Sequence, residues 1–129
     1  MLFRSCPGLN EVLFPPGSLK PGQHVSLMGA DGPGKTEVAV DELARGRVFA
    51  DDWEQASHGG ELAAAVEAGR VAREDVTMIG DVLAGRADGR RSDDEITLFD
   101  STGLAIQDLA IALAALGRAD ELDLPKIEL

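Results

Sequence analysis

His24-Val25-Ser26-Leu27-Met28, a mostly apolar run, leads directly into Gly29-Ala30-Asp31-Gly32-Pro33-Gly34 and then Lys35-Thr36. The apolar run is typical of a buried strand, and the glycines after it predict a tight loop at the strand's end. Over residues 36–44 the apolar positions recur at helical spacing, and Gly46 follows as a stop signal. This stretch therefore predicts a strand, a glycine-rich loop and a helix in direct succession.

Strand and helix patterns alternate along the rest of the chain. Short strands are predicted at residues 48–50 and 95–99, and the apolar start Leu2-Phe3-Arg4 ends at a turn. Helical spacing covers three further segments, residues 61–69, 74–85 and 104–116. Strands that alternate with helices imply parallel strands joined by right-handed crossovers, so the predicted fold class is α/β.

Four predicted loops share one edge of such a sheet. They are residues 5–8, 29–34, 51–53 and 100–103, each of which follows an apolar run. Open α/β sheets bind ligands outside the carboxyl ends of their strands. Because polar residues are concentrated in these loops, we expect the functional site at this edge.

Composition narrows the class of protein. The chain has 129 residues, 44% of them hydrophobic, with 12 Lys+Arg against 23 Asp+Glu and a net charge of −11. This is enough for at most one small globular domain, and the acidic balance argues against a nucleic-acid partner. The single cysteine, Cys6, cannot form an internal disulfide, and no apolar run approaches the roughly 20 residues that span a bilayer. We therefore interpret the protein as cytoplasmic, without a membrane partner.

Residues 29–36 match the nucleotide-triphosphate motif G-x-x-x-x-G-K-[ST]. In such a loop, backbone N–H groups bind phosphate, Lys35 would reach the terminal phosphates and Thr36 would hold a magnesium ion. Two residues argue against this interpretation, because Pro33 lacks an N–H and Asp31 places a carboxylate beside the phosphates. A nucleotide-triphosphate-binding protein that uses residues 29–36 is the alternative interpretation. The dinucleotide fingerprint G-x-G-x-x-G does not occur in the chain.

Several sequence blocks together resemble the ornithine cyclodeaminase/μ-crystallin family. The blocks are residues 29–37, 48–52, 60–62, 80–85 and 96–108. They come in the family's order and spacing, and the resemblance extends from about Ser5 to Ala115, which makes it more specific than any single motif. The family carries a glycine-rich G-x-D-x-P-G-K loop at this place, and this accounts for the match to the nucleotide-triphosphate motif.

The resemblance implies a partial Rossmann-type parallel sheet with flanking helices and a long C-terminal helix. It also implies NAD or NADP as cofactor and small α-amino or α-imino acids as substrates. The implied chemistry is deaminating cyclisation, as in ornithine cyclodeaminases, or that of amino-acid dehydrogenases and ketimine reductases. A non-catalytic, crystallin-like binding protein is a further alternative.

Residue by residue, the resemblance implies that Asp31 is the catalytic carboxylate, which contacts substrate and moves protons to and from the attacking amine or water. Thr102 matches a second substrate contact. Cofactor contacts are implied at five positions, Met28, Gly29, Ala30, Lys35 and Ser101. Ser101 is equally suited to be the N-cap of the helix after it, so both interpretations of this residue stay open. No metal site is implied.

Members of the family are more than twice as long as this chain, and their earlier part holds the dinucleotide fingerprint. We therefore expect residues 1–120 to be the C-terminal half of an NAD(P)-binding Rossmann domain with its return helix, and residues 121–129 to be an acidic tail. Such a truncated form is expected to be inactive alone and to bind dinucleotide weakly or not at all. It is also expected to expose an apolar sheet edge, and to form a homo-oligomer or pair with the missing N-terminal half.

Overall fold

The computed structural model describes residues 2–5, 12–28 and 35–121. These residues form one parallel sheet of five strands in the order β1-β2-β5-β3-β4. The strands are β1 (Leu2–Ser5), β2 (His24–Leu27), β3 (Arg47–Ala50), β4 (Val76–Met78) and β5 (Thr97–Asp100). The predicted α/β class with a parallel sheet is confirmed.

Five α-helices accompany the sheet in the described part of the chain. They are α1 (Val40–Leu43), α2 (Trp53–Gly59), α3 (Ala63–Glu67), α4 (Ile79–Leu83) and α5 (Ala105–Gly117). Short 3₁₀ helices cover Arg73–Asp75 and Ala119–Glu121. Most of the helices are short, so packing against the sheet, rather than helix propensity, stabilises them.

Leu98 lies at the centre of the core. It is in register with Val25 of β2 and Val48 of β3, and all three side chains are at most 3% exposed. The core on this face is completed by residues of α1, α2, α3 and their connections, among them Leu43, Ala56, Leu62 and Ala65. Because side chains alternate along a strand, Asp100 lies on the same face as Leu98, two residues closer to the carboxyl edge.

The helix predicted over residues 36–44 is wrong in its first half, because α1 begins only at Val40. The preceding segment is extended, and Val38 forms a parallel bridge with Phe14. Its backbone polar groups are bound elsewhere: the carbonyl of Glu37 accepts from the N–H of Leu13 and Phe14, and Ala39 N–H donates to Phe14 O. These long-range hydrogen bonds replace the i to i−4 bonds of a helix.

The predicted helix over residues 74–85 is also wrong over most of its length. Arg73–Asp75 forms a 3₁₀ turn, Val76–Met78 is strand β4 paired with β3, and only Ile79–Leu83 is helical. Strand pairing at the sheet edge overrides the local helical spacing. A further helix, α2, begins at Trp53 inside the predicted loop at residues 51–53, and Asp52 caps it by accepting from Gln55 N–H at 2.9 Å.

The long C-terminal helix is confirmed as α5, and it carries five of the nine exposed large apolar side chains among the described residues. Its large side chains are between 56% and 71% exposed, namely Ile106, Leu109, Ile111, Leu113 and Leu116. Along the edge strand β4, in contrast, Val76 is 4% exposed. Exposed apolar surface is therefore present on α5, and the expected apolar sheet edge stays a prediction. No helix among the described residues is long and apolar enough to cross a membrane.

Candidate functional site

Four acidic side chains lie at or just beneath the carboxyl edge of the sheet. Asp51 follows β3 and Asp100 ends β5, the neighbouring strand in the sheet. Glu37 lies in the segment before α1, and Glu61 lies between α2 and α3. They divide into two groups, because Asp51 organises the loop after β5 while the other three are buried together beneath the edge.

Asp51 holds the loop after β5 through its carboxylate. Its oxygens accept from Thr102 N at 3.0 Å, Thr102 Oγ1 at 2.8 Å, Ser101 Oγ at 3.2 Å and Gly103 N at 3.3 Å. The N–H of Asp52 donates to it as well, at 2.9 Å. Burial would raise the pKa of Asp51, but the hydrogen bonds from Thr102, Asp52 and Gly103 outweigh burial and lower it. Asp51 is therefore an anchored carboxylate that fixes the geometry of residues 101–103.

The same loop is attached to the end of β2. Ser101 N–H donates to Leu27 O at 3.0 Å. Because Met28 directly follows Leu27 in the chain, this hydrogen bond places Ser101 beside Met28. Met28 is 42% exposed, and Ser101 and Thr102 are half-buried. The structure thus brings together one predicted substrate contact, Thr102, and two predicted cofactor contacts, Met28 and Ser101.

Ser101 is not a helix N-cap. Helix α5 begins at Ala105 with Leu104 at its N-cap position, and no side chain caps it. The Ser101 hydroxyl donates to Asp51 instead, so its oxygen keeps lone pairs directed away from that proton. Gly103 provides the turn between Thr102 and the helix with a φ of +75°, a conformation that favours glycine.

Glu61 binds the segment that precedes α1. Its Oε1 accepts two short hydrogen bonds, from Glu37 N and Val38 N, each at 2.7 Å. Its side chain is 1% exposed, as are those of Glu37 and Asp100. Asp100 Oδ2 in turn accepts from Leu62 N at 3.1 Å. Buried carboxylates therefore connect the end of β5, the α2–α3 connection and the start of the segment that leads to α1.

Burial has a strong effect on the ionisation of this group. Burial, together with the charges of Asp100 and Glu37, raises the pKa of Glu61 to about 7, although the two amide hydrogen bonds lower it. Burial also raises the pKa of Asp100 to about 7, with Asp51 as the strongest neighbouring charge. The pKa of Glu37 is raised by burial alone. Burial therefore moves the titration of Glu61 and Asp100 to near neutral pH.

Lys35 lines a small cavity beside this edge. The cavity has a volume of about 170 Å³, and its wall is formed by Lys35, Thr36, His58, Gly60, Ala63, Ala64 and Glu67. Three predicted site residues lie outside the described residues, namely Gly29, Ala30 and Asp31. In the sequence, residues 29–34 lie between Met28 and Lys35.

None of the four acidic residues Glu37, Asp51, Glu61 and Asp100 is among the individual site residues that the sequence predicts. The signal was present for Asp100 and Glu61, since each is an acidic residue directly next to an apolar run. A charged residue at the end of a buried strand is a candidate for a paired or protonated group. Among the described residues, no three His, Cys, Asp or Glu side chains are placed to hold a metal ion.

An open parallel sheet with polar loops at its carboxyl edge is characteristic of the Rossmann-type α/β fold. Comparison with known proteins identifies the family: the chain belongs to the ornithine cyclodeaminase/mu-crystallin family, whose model matches residues 12–121. The predicted resemblance is confirmed.

Three similar proteins illustrate the relationship. Alanine dehydrogenase of Archaeoglobus fulgidus is 56% identical over 92 residues, which are 70% of this chain and 29% of that protein. The structure of an archaeal alanine dehydrogenase dimer with bound NAD matches 99% of this chain and 41% of its own, with a TM-score of 0.85 and 42% identity. Iminosuccinate reductase of Paracoccus denitrificans in complex with NAD⁺ matches 93% of this chain and 37% of its own, with a TM-score of 0.85 and 35% identity. The chain thus spans well under half the length of these relatives.

Proposed function

We propose that this chain forms part of the cofactor and substrate site of an NAD(H)-dependent enzyme that acts on small α-amino or α-imino acids. The observation that carries this proposal is the Asp51 anchor, which places Ser101 and Thr102 beside Met28 at the carboxyl edge. Similar proteins support it, since two of the solved structures hold NAD at 42% and 35% identity.

In the proposed site, Met28, Gly29, Ala30, Lys35 and Ser101 contact the cofactor. Exposed Met28 offers an apolar surface to a ring, and the Ser101 oxygen offers a hydrogen-bond acceptor, so the described residues fit a nicotinamide nucleotide. When bound, NAD⁺ accepts a hydride from the α-carbon of an amino acid.

Asp31 and Thr102 contact the substrate in this proposal. The Thr102 hydroxyl donates its proton to Asp51, so its oxygen faces substrate as an acceptor and suits an ammonium or amine group. Asp31 takes up and returns the proton of the reacting amine or water, as a general acid and base.

We expect NAD⁺ and NADH to bind the 129-residue chain weakly, with Kd in about the millimolar range, because the chain has no G-x-G-x-x-G fingerprint to hold the pyrophosphate. Titration of the ¹⁵N-labelled chain by NMR should shift the amide signals of Met28, Lys35, Ser101 and Thr102. NADP⁺ is the matched control for cofactor choice, and we expect smaller shifts with it. Addition of L-alanine with NADH should then shift Thr102, and Asp31→Asn should remove this second effect.

The same titration separates the alternatives. Shifts with ATP and magnesium at Lys35 and Thr36, without shifts from NAD⁺, would contradict the proposal and favour a nucleotide-triphosphate site. The geometry offers that alternative little support, because residues 35–39 are not helical and α1 begins only at Val40. The motif requires a helix N-terminus directly at the phosphates.

We further propose that α5 packs against a second copy of the chain. One side of α5 carries a stripe of large apolar side chains at intervals of three, four and three residues. The stripe consists of Ile106, Leu109, Leu113 and Leu116. Each is at least 56% exposed. Such a stripe is stable in water when a partner covers it.

Light scattering after size-exclusion chromatography should therefore show a dimer or larger oligomer. The double variant Leu109→Lys with Leu113→Lys is expected to be monomeric, because two cations would be buried in the contact. Gln107→Lys adds one positive charge to α5 outside the stripe and should leave the oligomer intact. A monomeric wild-type chain, or an oligomer that survives the double substitution, would refute this part of the proposal.

A further inference from the structure

Glu37, Glu61 and Asp100 bring three buried carboxyl groups together from separate parts of the chain. Glu37 precedes α1, Glu61 connects α2 and α3, and Asp100 ends β5. Each is 1% exposed, so water does not screen their mutual repulsion. Three simultaneous negative charges in this position would be strongly unfavourable.

Four oxygen atoms of these groups have no hydrogen-bond partner in the structure. They are Glu37 Oε1 and Oε2, Glu61 Oε2 and Asp100 Oδ1. A buried carboxylate oxygen without a donor is destabilised in its charged form, whereas a protonated carboxyl group can itself donate. Glu37, with both oxygens unpartnered, is the clearest case. The arrangement is one that favours retained protons.

Among the described residues, no ion pair neutralises the three carboxyl groups. Asp51 adds negative charge from β3. Glu42 of α1 is satisfied separately by Arg45 and by the N–H groups of Gly17 and Leu19. Two basic side chains line the neighbouring cavity together with Gly60. They are Lys35, which precedes Glu37 in the chain, and His58 of α2.

We propose that Glu37, Glu61 and Asp100 form a proton-dependent latch, in which at least one retained proton keeps residues 37 and 38 bound to Glu61. The two 2.7 Å hydrogen bonds to Glu61 Oε1 are its closing contacts. Loss of the proton strengthens the two amide hydrogen bonds, but the cost of a buried charge, together with repulsion from Glu37 and Asp100, outweighs that gain. The segment that contains Glu37 therefore moves away from Glu61 and Asp100.

The pKa values of about 7 for Glu61 and Asp100 put the release near neutral pH. The pKa of Glu61 in the folded chain lies above its ordinary value of 4.5. Such a carboxyl group contributes its full stabilisation of the fold at pH values below 4.5. This stabilisation is lost as the pH rises through about 7. The latch is therefore closed in mild acid and opens in mild base.

Amide hydrogen exchange of the whole chain tests the latch without reference to any activity. After correction for the intrinsic pH dependence of exchange, protection of Glu37 and Val38 N–H should be constant in mild acid. Above pH about 7 it should fall by about tenfold for each pH unit, the slope for one proton. The N–H of Gln55, which Asp52 binds at the start of α2, should show no such change and serves as internal reference.

Two variants locate the proton. Glu61→Gln keeps an oxygen that accepts both amides but carries no charge, so protection should persist at high pH. Asp100→Asn removes a neighbouring charge and should move the midpoint of release, while Glu74→Gln, an exposed carboxylate, should leave it unchanged. The proposal fails if protection in the wild-type chain does not depend on pH, or if Glu61→Gln shows the wild-type slope.

A direct titration covers the case in which a variant does not fold. The side-chain carboxyl carbons of the wild-type chain, followed by ¹³C NMR, should show Glu61 and Asp100 titrating together near neutral pH. Titration of both groups at the ordinary values of exposed Glu and Asp would overturn the latch. This outcome is independent of the proposed cofactor site, which Asp51 organises through separate contacts.

Discussion

Asp51→Ala is expected to destabilise the fold by about 2–4 kcal/mol and to release residues 101–103 from the carboxyl edge. The substitution removes the acceptor for Ser101 Oγ, Thr102 Oγ1 and the N–H groups of Thr102 and Gly103. Half-buried donors without an acceptor lose their hydrogen bonds and regain only part of them from water. Urea denaturation at neutral pH measures the loss, and amide exchange of Thr102 reports the loop.

Asp52→Ala is the matched control, one residue along the chain. Asp52 accepts one hydrogen bond, from Gln55 N–H at the start of α2, so its loss should cost about 1 kcal/mol. The anchor interpretation is wrong if both substitutions cost the same.

Asp51→Asn tests the role of the negative charge. The pKa of Asp51 is lowered in the folded chain, so the stabilisation that its charge provides is fully present at pH values above the ordinary Asp pKa. This stabilisation disappears as the pH falls through the lowered pKa. The Asn variant should lack this acid-dependent step.

Gly60→Ala should destabilise the fold by about 1–3 kcal/mol or prevent folding, because a Cβ at this position has no space. It would lie 2.7 Å from Asp100 Oδ2, 2.9 Å from Ala56 Cα and 3.1 Å from Ala56 O. Two of these three atoms belong to the backbone of α2, so relief requires movement of the helix. Thermal unfolding followed by circular dichroism measures the effect.

Gly59→Ala provides the control for this prediction. A Cβ at Gly59 would meet no atom within 4 Å, and the residue ends α2. Alanine is the better helix former, so we expect an unchanged or slightly higher melting temperature. Equal destabilisation by the two substitutions would show that close packing against Asp100 and Ala56 is not the cause.

Much of the fold was predictable because local patterns and tertiary pairing agree there. Residues 24–28 are mostly apolar and lead into a glycine-rich stretch, and His24–Leu27 pairs on both sides with parallel strands, so the predicted strand was found. Local pattern and tertiary pairing disagree in two segments that have the apolar spacing of a helix. In residues 36–39 the backbone of Val38 pairs with Phe14, and in residues 76–78 the backbone pairs with β3. Periodicity reports which side chains are apolar, and it does not report which distant segment offers backbone hydrogen bonds.

The candidate site likewise has residues that the sequence indicated and contacts that only the structure shows. Sequence resemblance indicated Met28, Lys35, Ser101 and Thr102, and these residues lie at the carboxyl edge. It did not indicate how Ser101 and Thr102 are held, because Asp51 is 50 residues away from Ser101 in the chain. Nor did it indicate the buried pairing of Glu61 with Glu37, 24 residues away.

The sequence by itself determined the α/β class, the edge at which polar residues gather and the family, since each depends on residue type and spacing. Tertiary structure alone decided the ionisation of Glu61 and Asp100 and the anchoring role of Asp51. A carboxylate has the same formal charge in every sequence, but its pKa depends on burial, on hydrogen-bond donors and on other charges nearby. Those surroundings exist only once β3, β5 and the α2–α3 connection have met at one edge of the sheet.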